Sequence, residues 1–98
     1  MHTILFYDFV DDYLARRPAH RKEHLTLVRE AFERGEVAMG GALGDPADCA
    51  LLVFRGQSPD AAEAFAKADP YVKHGLVSAW RIRKWNTVVG DGATMPAL

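Results

Sequence analysis

One histidine occupies the side of a predicted helix that should face the protein interior. When residues 22–34 are arranged at about 100° per residue, the apolar side chains form a single stripe, and His24 lies inside it. The apolar members of that stripe are Leu25, Leu27, Val28, Ala31 and Phe32. From residue 22 onward, no other polar side chain lies there. An imidazole in this position suits proton transfer, although a core histidine with one backbone partner gives the same pattern.

A carboxylate is the second candidate group. Asp69 follows Phe65 by four residues and Ala62 by seven, so it continues the inward side of a second predicted helix. If both helices cover one sheet face, Asp69 and His24 can meet at the end of the sheet. A carboxylate bonded to one imidazole nitrogen would leave the other free to take or give a proton. The structural alternative is an N-cap, because Asp69 precedes Pro70 at the start of a helical turn.

Polar residues close to His24 in the sequence indicate a cleft, but their arrangement does not fit a metal site. His20 and Arg21 project from the turn before His24 on the same side of the helix. His20 and His24 have the four-residue spacing of two metal ligands, but Glu23 points about 100° away from His24. The His-Glu-x-x-His order of zinc proteases is also absent. We therefore expect no bound metal and no other cofactor.

The elements that must position these residues are predicted to follow the order β-α-β-β-α-β. The long helix spans residues 18–34, with Pro18 in its first turn and Gly35 as its C-cap. The second helix spans residues 61–68, and the Asp69-Pro70 pair ends it and starts a short turn. The predicted strands are residues 3–10, 37–43, 50–54 and 76–89. This order predicts a ferredoxin-like α+β fold, in which both helices cover one sheet face.

The second face of the predicted sheet is apolar as well. Ile4 and Phe6 alternate with Leu5 and Tyr7 along the first strand. A chain of 98 residues forms one domain, which we assign to residues 1–90, with residues 91–98 as a loose tail. Because only another copy of the sheet is available to cover the second face, we expect a homodimer, a dimeric α+β barrel. A monomer with a semi-apolar open face is the alternative.

Composition excludes several kinds of partner. Twelve basic and thirteen acidic residues give a formal charge of -1, which provides no field to hold nucleic acid. No apolar run approaches the length of about 20 residues that spans a membrane. The single cysteine cannot form an internal disulfide, and the N-terminus does not have the pattern of a signal peptide. We expect a cytoplasmic protein with no nucleic-acid or membrane partner.

Several segments together resemble the YCII-related family over almost the whole chain. They are residues 21–25, the stop at Gly35, residues 40–43, residues 68–72 and Gly75. The resemblance implies a dimeric ferredoxin-like barrel with a His-Asp pair in a pocket, and by motif position the pair is His24 and Asp69. It also implies lyase or dehydrohalogenase chemistry of the kind found in some relatives.

The functional hypothesis is cofactor-free proton transfer on a small cyclic or aromatic molecule, by elimination, dehydrohalogenation or isomerisation. His24 would be the general base or acid, and Asp69 would orient it and stabilise the imidazolium. Tyr7, Arg21 and Tyr71 are the expected substrate-binding residues. The alternative is a non-catalytic module that binds a small ligand or another protein, with the same pair serving only the fold. Access to a cavity distinguishes them, because a catalytic pair must reach one.

Overall fold

Four strands form one antiparallel sheet in the computed structural model, which describes residues 1–93. In chain order they are β1 (His2–Phe9), β2 (Val37–Leu43), β3 (Cys49–Arg55) and β4 (Val77–Trp85). Side by side they lie in the order β2-β3-β1-β4, and every neighbouring pair is antiparallel. This α+β arrangement is compatible with the predicted ferredoxin-like fold. Residues 94–98, most of the predicted tail, lie outside the described residues.

The helical segments differ from the prediction mainly before the long helix. They are α1 (Tyr13–Arg16), a 3-10 turn (Arg17–Ala19), α2 (Arg21–Glu33), α3 (Asp60–Ala68) and α4 (Pro70–Lys73). The predicted helix of residues 18–34 therefore begins three residues later, at Arg21. Pro18 has no N–H to continue α1, and His20, with φ -123° and ψ -1°, separates the 3-10 turn from α2. The predicted stop is present, because Gly35 has φ +80° and donates its N–H to the carbonyl of Phe32.

The core lies between the helices and one face of the sheet, which we call the covered face. The strand registers place Leu5 beside Leu52 and Thr3 beside Phe54 on this face. Tyr7, beside Ala50, continues the same row. Buried helix residues complete the core, namely Ala31 of α2 together with Ala62, Phe65 and Ala66 of α3. The alternation of strand side chains thus directs Tyr7 towards the helices.

The opposite side of the sheet, which we call the open face, carries no helix among residues 1–93. Its central side chains are Ile4 and Phe6 of β1, paired with Val53 and Leu51 of β3. Apolar side chains at its margins are exposed, Met39 by 65% and Trp85 by 43%. Arg81 and Arg83 of β4 lie beside Phe6 and Ile4 on this face.

The chain beyond β4 turns back onto one end of the open face. β4 was predicted to reach residue 89, but it ends at Trp85, because its partner strand β1 begins at His2 and offers no further backbone to pair with. Thr87 is buried, and its hydroxyl lies 2.6 Å from Nδ1 of His2. The amino terminus contacts the carbonyl of Gly92. No helix within residues 1–93 has the length and apolar character that crossing a membrane requires.

Candidate functional site

His24 and Asp69 are in direct contact at the end of the covered face. His24 lies in the first turns of α2, and Asp69 lies between α3 and α4. The His24 Nδ1 atom is 2.9 Å from Oδ1 and 3.0 Å from Oδ2 of Asp69. Asp69 is fully buried, whereas the His24 side chain keeps 14% of its surface exposed. The contact therefore joins a sealed carboxylate to an accessible imidazole.

Three further features fix the Asp69 carboxylate. Its Oδ1 atom accepts the backbone N–H of Tyr71 at 3.0 Å, which makes Asp69 the N-cap of α4. Its Oδ2 atom accepts the hydroxyl of Tyr7 at 2.8 Å. Pro70 keeps Asp69 extended, with φ -70° and ψ 123°. Asp69 is thus both the N-cap of α4 and the hydrogen-bond partner of His24. The structural role and the role in the pair, which the sequence presents as alternatives, are both present.

Tyr7 is the buried support of this carboxylate. It lies on β1 with 1% of its surface exposed and faces the helices. Burial raises the pKa of Tyr7, and the charge of Asp69 and the hydrogen bond to it raise that pKa further. The phenol therefore stays protonated at neutral pH and donates its proton to Oδ2. With both oxygens already accepting, the carboxylate is the acceptor and His24 Nδ1 is the donor.

The ring of His24 is held by aromatic packing. Tyr71 stacks on it with ring centroids 3.9 Å apart and planes 8° apart, and Phe65 meets it edge to face at 6.5 Å. The Nδ1 atom is turned towards Asp69, so Nε2 lies on the far side of the ring. Within residues 1–93, the hydrogen bonds of the His24 ring are made by Nδ1 to Asp69, and none is made by Nε2. The unoccupied nitrogen is therefore the one available to a ligand.

Tyr71 supports the imidazole from behind. It is 1% exposed, and its hydroxyl has no hydrogen-bond partner among the described residues. Burial raises the pKa of Tyr71 to about 12, and Tyr13 adds to the rise while Arg21 opposes it. Tyr71 is not among the residues that line the cavity beside His24, and its ring packs against the imidazole.

A cavity of about 160 Å³ lies beside His24 on the covered face. One wall is aromatic, and its members are Tyr7, Phe9 and Tyr13. Leu25 and Val28 of α2 form another wall, and two arginines, Arg17 and Arg21, also line the space. The sheet beneath it, which we call the floor, carries Gly40, Ala42 and Ala50. The histidine therefore borders a partly open cavity whose lining is mostly apolar and carries positive charge.

Small residues on the floor keep the cavity open. Gly40 pairs with Leu52 across β2 and β3, and a Cβ atom at Gly40 would lie 2.8 Å from the Leu52 Cδ2 atom. Ala42 and Ala50 face each other at the next position on the same face. Larger side chains here would fill the space beside His24.

The structure brings most of the predicted site residues together and adds others. Tyr7, Arg21 and His24 line one cavity, while Asp69 lies directly behind His24. Tyr13 and Arg17 are not among the predicted site residues, because the segment between the first predicted strand and residue 18 contains no predicted helix and forms only a link. A signal was present, since Arg17 precedes Arg21 by four residues and Tyr13 is aromatic within that link.

His20 does not join the pair. Its ring stacks on His74 with centroids 4.2 Å apart. Among residues 1–93, no group of three histidine, cysteine, aspartate or glutamate side chains is placed to hold a metal ion. Cys49 lies on the open face of the sheet, opposite the cavity. Its Sγ atom is 3.6 Å from Oδ1 of Asp8. The candidate reacting groups at the site are His24, Asp69 and the groups that line the cavity.

The fold and site define a class, namely small α+β proteins with a histidine-carboxylate pair beside an apolar cavity. The chain belongs to the YCII-related domain family, whose model matches residues 1–86, as the sequence motifs predicted. A solved structure of similar fold is 5-chloro-2-hydroxyhydroquinone dehydrochlorinase (TftG) from Burkholderia phenoliruptrix AC1100, in complex with 2,5-dihydroxybenzoquinone. Its sequence is 20% identical, the match covers 89% of this chain and 95% of that one, and the TM-score is 0.73. No curated protein matches the chain.

Proposed function

We propose that this protein is a cofactor-free acid/base enzyme of the dehydrohalogenase type that acts on a small cyclic molecule. The observation that carries the proposal is the orientation of His24. Its Nδ1 atom is bound to a buried carboxylate, and the ring lines a cavity with Nε2 unoccupied by residues 1–93. A base that needs no metal requires this arrangement of an oriented imidazole and a space for substrate.

The proposed step is the loss of a hydrogen halide. The step acts on the keto tautomer of the substrate, in which the carbon that carries the halogen is tetrahedral. The lone pair on Nε2 of His24 takes a proton from a hydroxyl conjugated with that carbon or from a neighbouring ring carbon. The electron pair of the broken bond to hydrogen forms a new π bond, and the halogen leaves as halide with the pair of the carbon-halogen bond. The imidazolium then returns its proton to water, so the net change is the release of one hydrogen halide.

Asp69 supports this step in two ways. Its hydrogen bond to Nδ1 selects the tautomer that leaves Nε2 free to accept a proton. Its negative charge stabilises the imidazolium that forms, and the hydrogen bonds from Tyr7 and Tyr71 keep the carboxylate in place. The TftG structure adds support, because it is described as a dehydrochlorinase with a quinone bound.

We also propose that two copies assemble through their open faces, as a dimeric α+β barrel. Ile4, Phe6 and Leu51 are only partly buried on this face although they lie at the centre of the sheet. Met39, at 65% exposure, extends the apolar surface to the edge. A second sheet of the same kind would cover these side chains and would leave both cavities on the outer, helix-covered sides.

The test is halide release from a panel of halogenated hydroquinones and halogenated 2,5-dihydroxybenzoates, measured by ion chromatography. We expect the native chain to release halide from at least one member of the panel and the His24→Gln variant to release none above background. The matched control is His74→Gln, which changes an exposed histidine outside the cavity. If the native chain and His24→Gln bind a panel member equally well and neither turns it over, the non-catalytic ligand-binding module is the better description.

A further inference from the structure

We propose that the cavity beside His24 selects a single-ring substrate that carries an acidic oxygen, a carboxylate or a phenolate, and that Arg17 and Arg21 bind this anion. The inference rests on the proposed function, since it concerns the same cavity, and it specifies the size and charge of the molecule that enters. It assigns a binding role to Arg17, a residue outside the His-Asp pair.

The volume of the cavity limits the size of the ligand that can enter it. A cavity of about 150 Å³ in an engineered protein core holds benzene, and the cavity beside His24 has about 160 Å³. The floor of Gly40, Ala42 and Ala50 lies under an aromatic wall. A flat six-membered ring matches this volume, whereas a fused pair of rings would have to extend beyond it.

The charged side chains that line the cavity favour a negatively charged ligand. The lining contains two guanidinium groups, from Arg17 and Arg21, and no carboxylate. The carboxylate nearest the cavity, Asp69, is fully buried, and its oxygens accept hydrogen bonds from protein groups. The ion pairs among residues 1–93 join other groups, so neither Arg17 nor Arg21 is neutralised by a carboxylate there. An anionic ligand would supply the missing charge.

Aromatic packing gives one of the two cations a defined place. The Arg17 guanidinium lies 5.5 Å from the centre of the Tyr13 ring. Tyr13 in turn stacks on Phe9 with ring centroids 3.6 Å apart and planes 1° apart. The Arg17 charge is therefore held at the aromatic wall of the cavity. Arg21 begins α2 one turn before His24, so an oxygen bound by both arginines would hold the ring beside His24.

The experiment measures binding, so that it does not depend on turnover. Isothermal titration calorimetry compares benzoate, 4-nitrophenolate, neutral benzamide and 2-naphthoate on the full chain. We expect the native chain to bind benzoate or 4-nitrophenolate about tenfold more tightly than benzamide. The two anions distinguish a carboxylate substrate from a phenolate. The preference for the anion should shrink to about twofold in Arg17→Gln and Arg21→Gln, because each loses a charged donor.

Three controls separate the possible failures. Arg29→Gln removes a positive charge from the exposed surface of α2 and should leave the preference unchanged. His24→Gln should also retain it, because His24 is not one of the proposed anion-binding groups. A native chain that prefers the anion but releases no halide would contradict the proposed chemistry and leave this inference intact. Ala42→Leu should weaken benzoate binding by about tenfold by filling the cavity, with an unchanged circular dichroism spectrum.

Several results would overturn the proposal. Equal binding of benzoate, 4-nitrophenolate and benzamide, or no binding of any of them at millimolar concentration, would show that the cavity does not select an anion. An unchanged preference in both arginine variants would place the anion elsewhere. Binding of 2-naphthoate as tight as that of benzoate would refute the single-ring limit.

Discussion

The two faces of the sheet are both apolar, yet only one of them carries the candidate site. On the covered face, Tyr7 and Asp69 are almost completely buried and bonded to each other. On the open face, Arg81 lies over the Phe6 ring at 4.5 Å and reaches Asp8 at the surface. Polar groups on the open face contact solvent-exposed partners, whereas those on the covered face are fixed by partners from several elements.

This difference shows that a strand residue joins a functional site only where helices bring further side chains to the same face of the sheet. Both faces alternate with the same period along β1, so the strand alone does not distinguish them. The helices deliver His24 and Asp69 to one face, and they leave a cavity where the floor residues are small. The same face excludes water from Asp69, and electrostatic interactions are stronger there. The open face has an apolar area without a helix over it among residues 1–93, and this area is the basis of the proposed dimer.

The largest effect should come from the His-Asp pair. We expect His24→Gln to lower the rate of halide release by about 10³-fold and Asp69→Asn by about 10²-fold, because the first removes the base and the second only its orientation and charge. Both variants should lower kcat more than they raise KM. Rates are compared per folded molecule, with the folded fraction determined by circular dichroism. Loss of the fold with an unchanged rate per folded molecule would make the pair part of the core architecture.

A charge on the open face should affect assembly and leave the site unchanged. We expect the native chain to sediment at twice the mass of one chain at micromolar concentration. Met39→Glu should raise the dissociation constant by about 100-fold, because a charge would be buried within the apolar contact. Met39 is exposed in one chain, so the fold should tolerate the change. Phe32→Glu, which places the same charge on an exposed position of α2, is the control and should remain dimeric. A native chain that sediments as a monomer would contradict the assignment of the open face.

Removing the Tyr7 hydroxyl tests the support of the carboxylate. We expect Tyr7→Phe to lower the free energy of unfolding by about 1 to 2 kcal/mol, because one buried oxygen of Asp69 loses its donor. Tyr71→Phe is the matched comparison, and its cost should be near zero, because the Tyr71 hydroxyl has no hydrogen-bond partner among residues 1–93. Urea denaturation measures both values. Equal costs would mean that the bond from Tyr7 to Asp69 does not stabilise the fold.

The smallest effect should appear only in alkaline solution. The pKa of Tyr71 rises from its usual value of 10 to about 12 in the folded chain, so the folded form keeps a proton that the unfolded form releases. This contribution to stability is complete below pH 10 and is lost as the pH rises through about 12. We expect the free energy of unfolding to fall across that range, and to fall less steeply in Tyr71→Phe. Identical slopes in urea denaturation at a series of pH values would contradict the raised pKa.

Local sequence patterns were enough to predict the order of the elements and the direction of the key side chains. Helical spacing places His24 inwards, and strand alternation places Tyr7 on a chosen face, because both periods are properties of the local backbone. The stop at Gly35 and the extended backbone of Asp69 before Pro70 are equally local. These signals sufficed to select His24 and Asp69 as a pair and to predict the α+β order.

The groups that meet at the pair, and the position of the cavity, depend on how the elements pack against one another. Tyr7 reaches Asp69 across 62 positions of sequence, and Tyr71 backs the imidazole instead of lining the cavity. Arg17 enters the lining through the 3-10 turn that replaces the start of the predicted helix. The physical reason is that periodicity fixes a side chain relative to its own element. The distances between elements depend on how all the buried side chains pack together, and no local pattern contains that information.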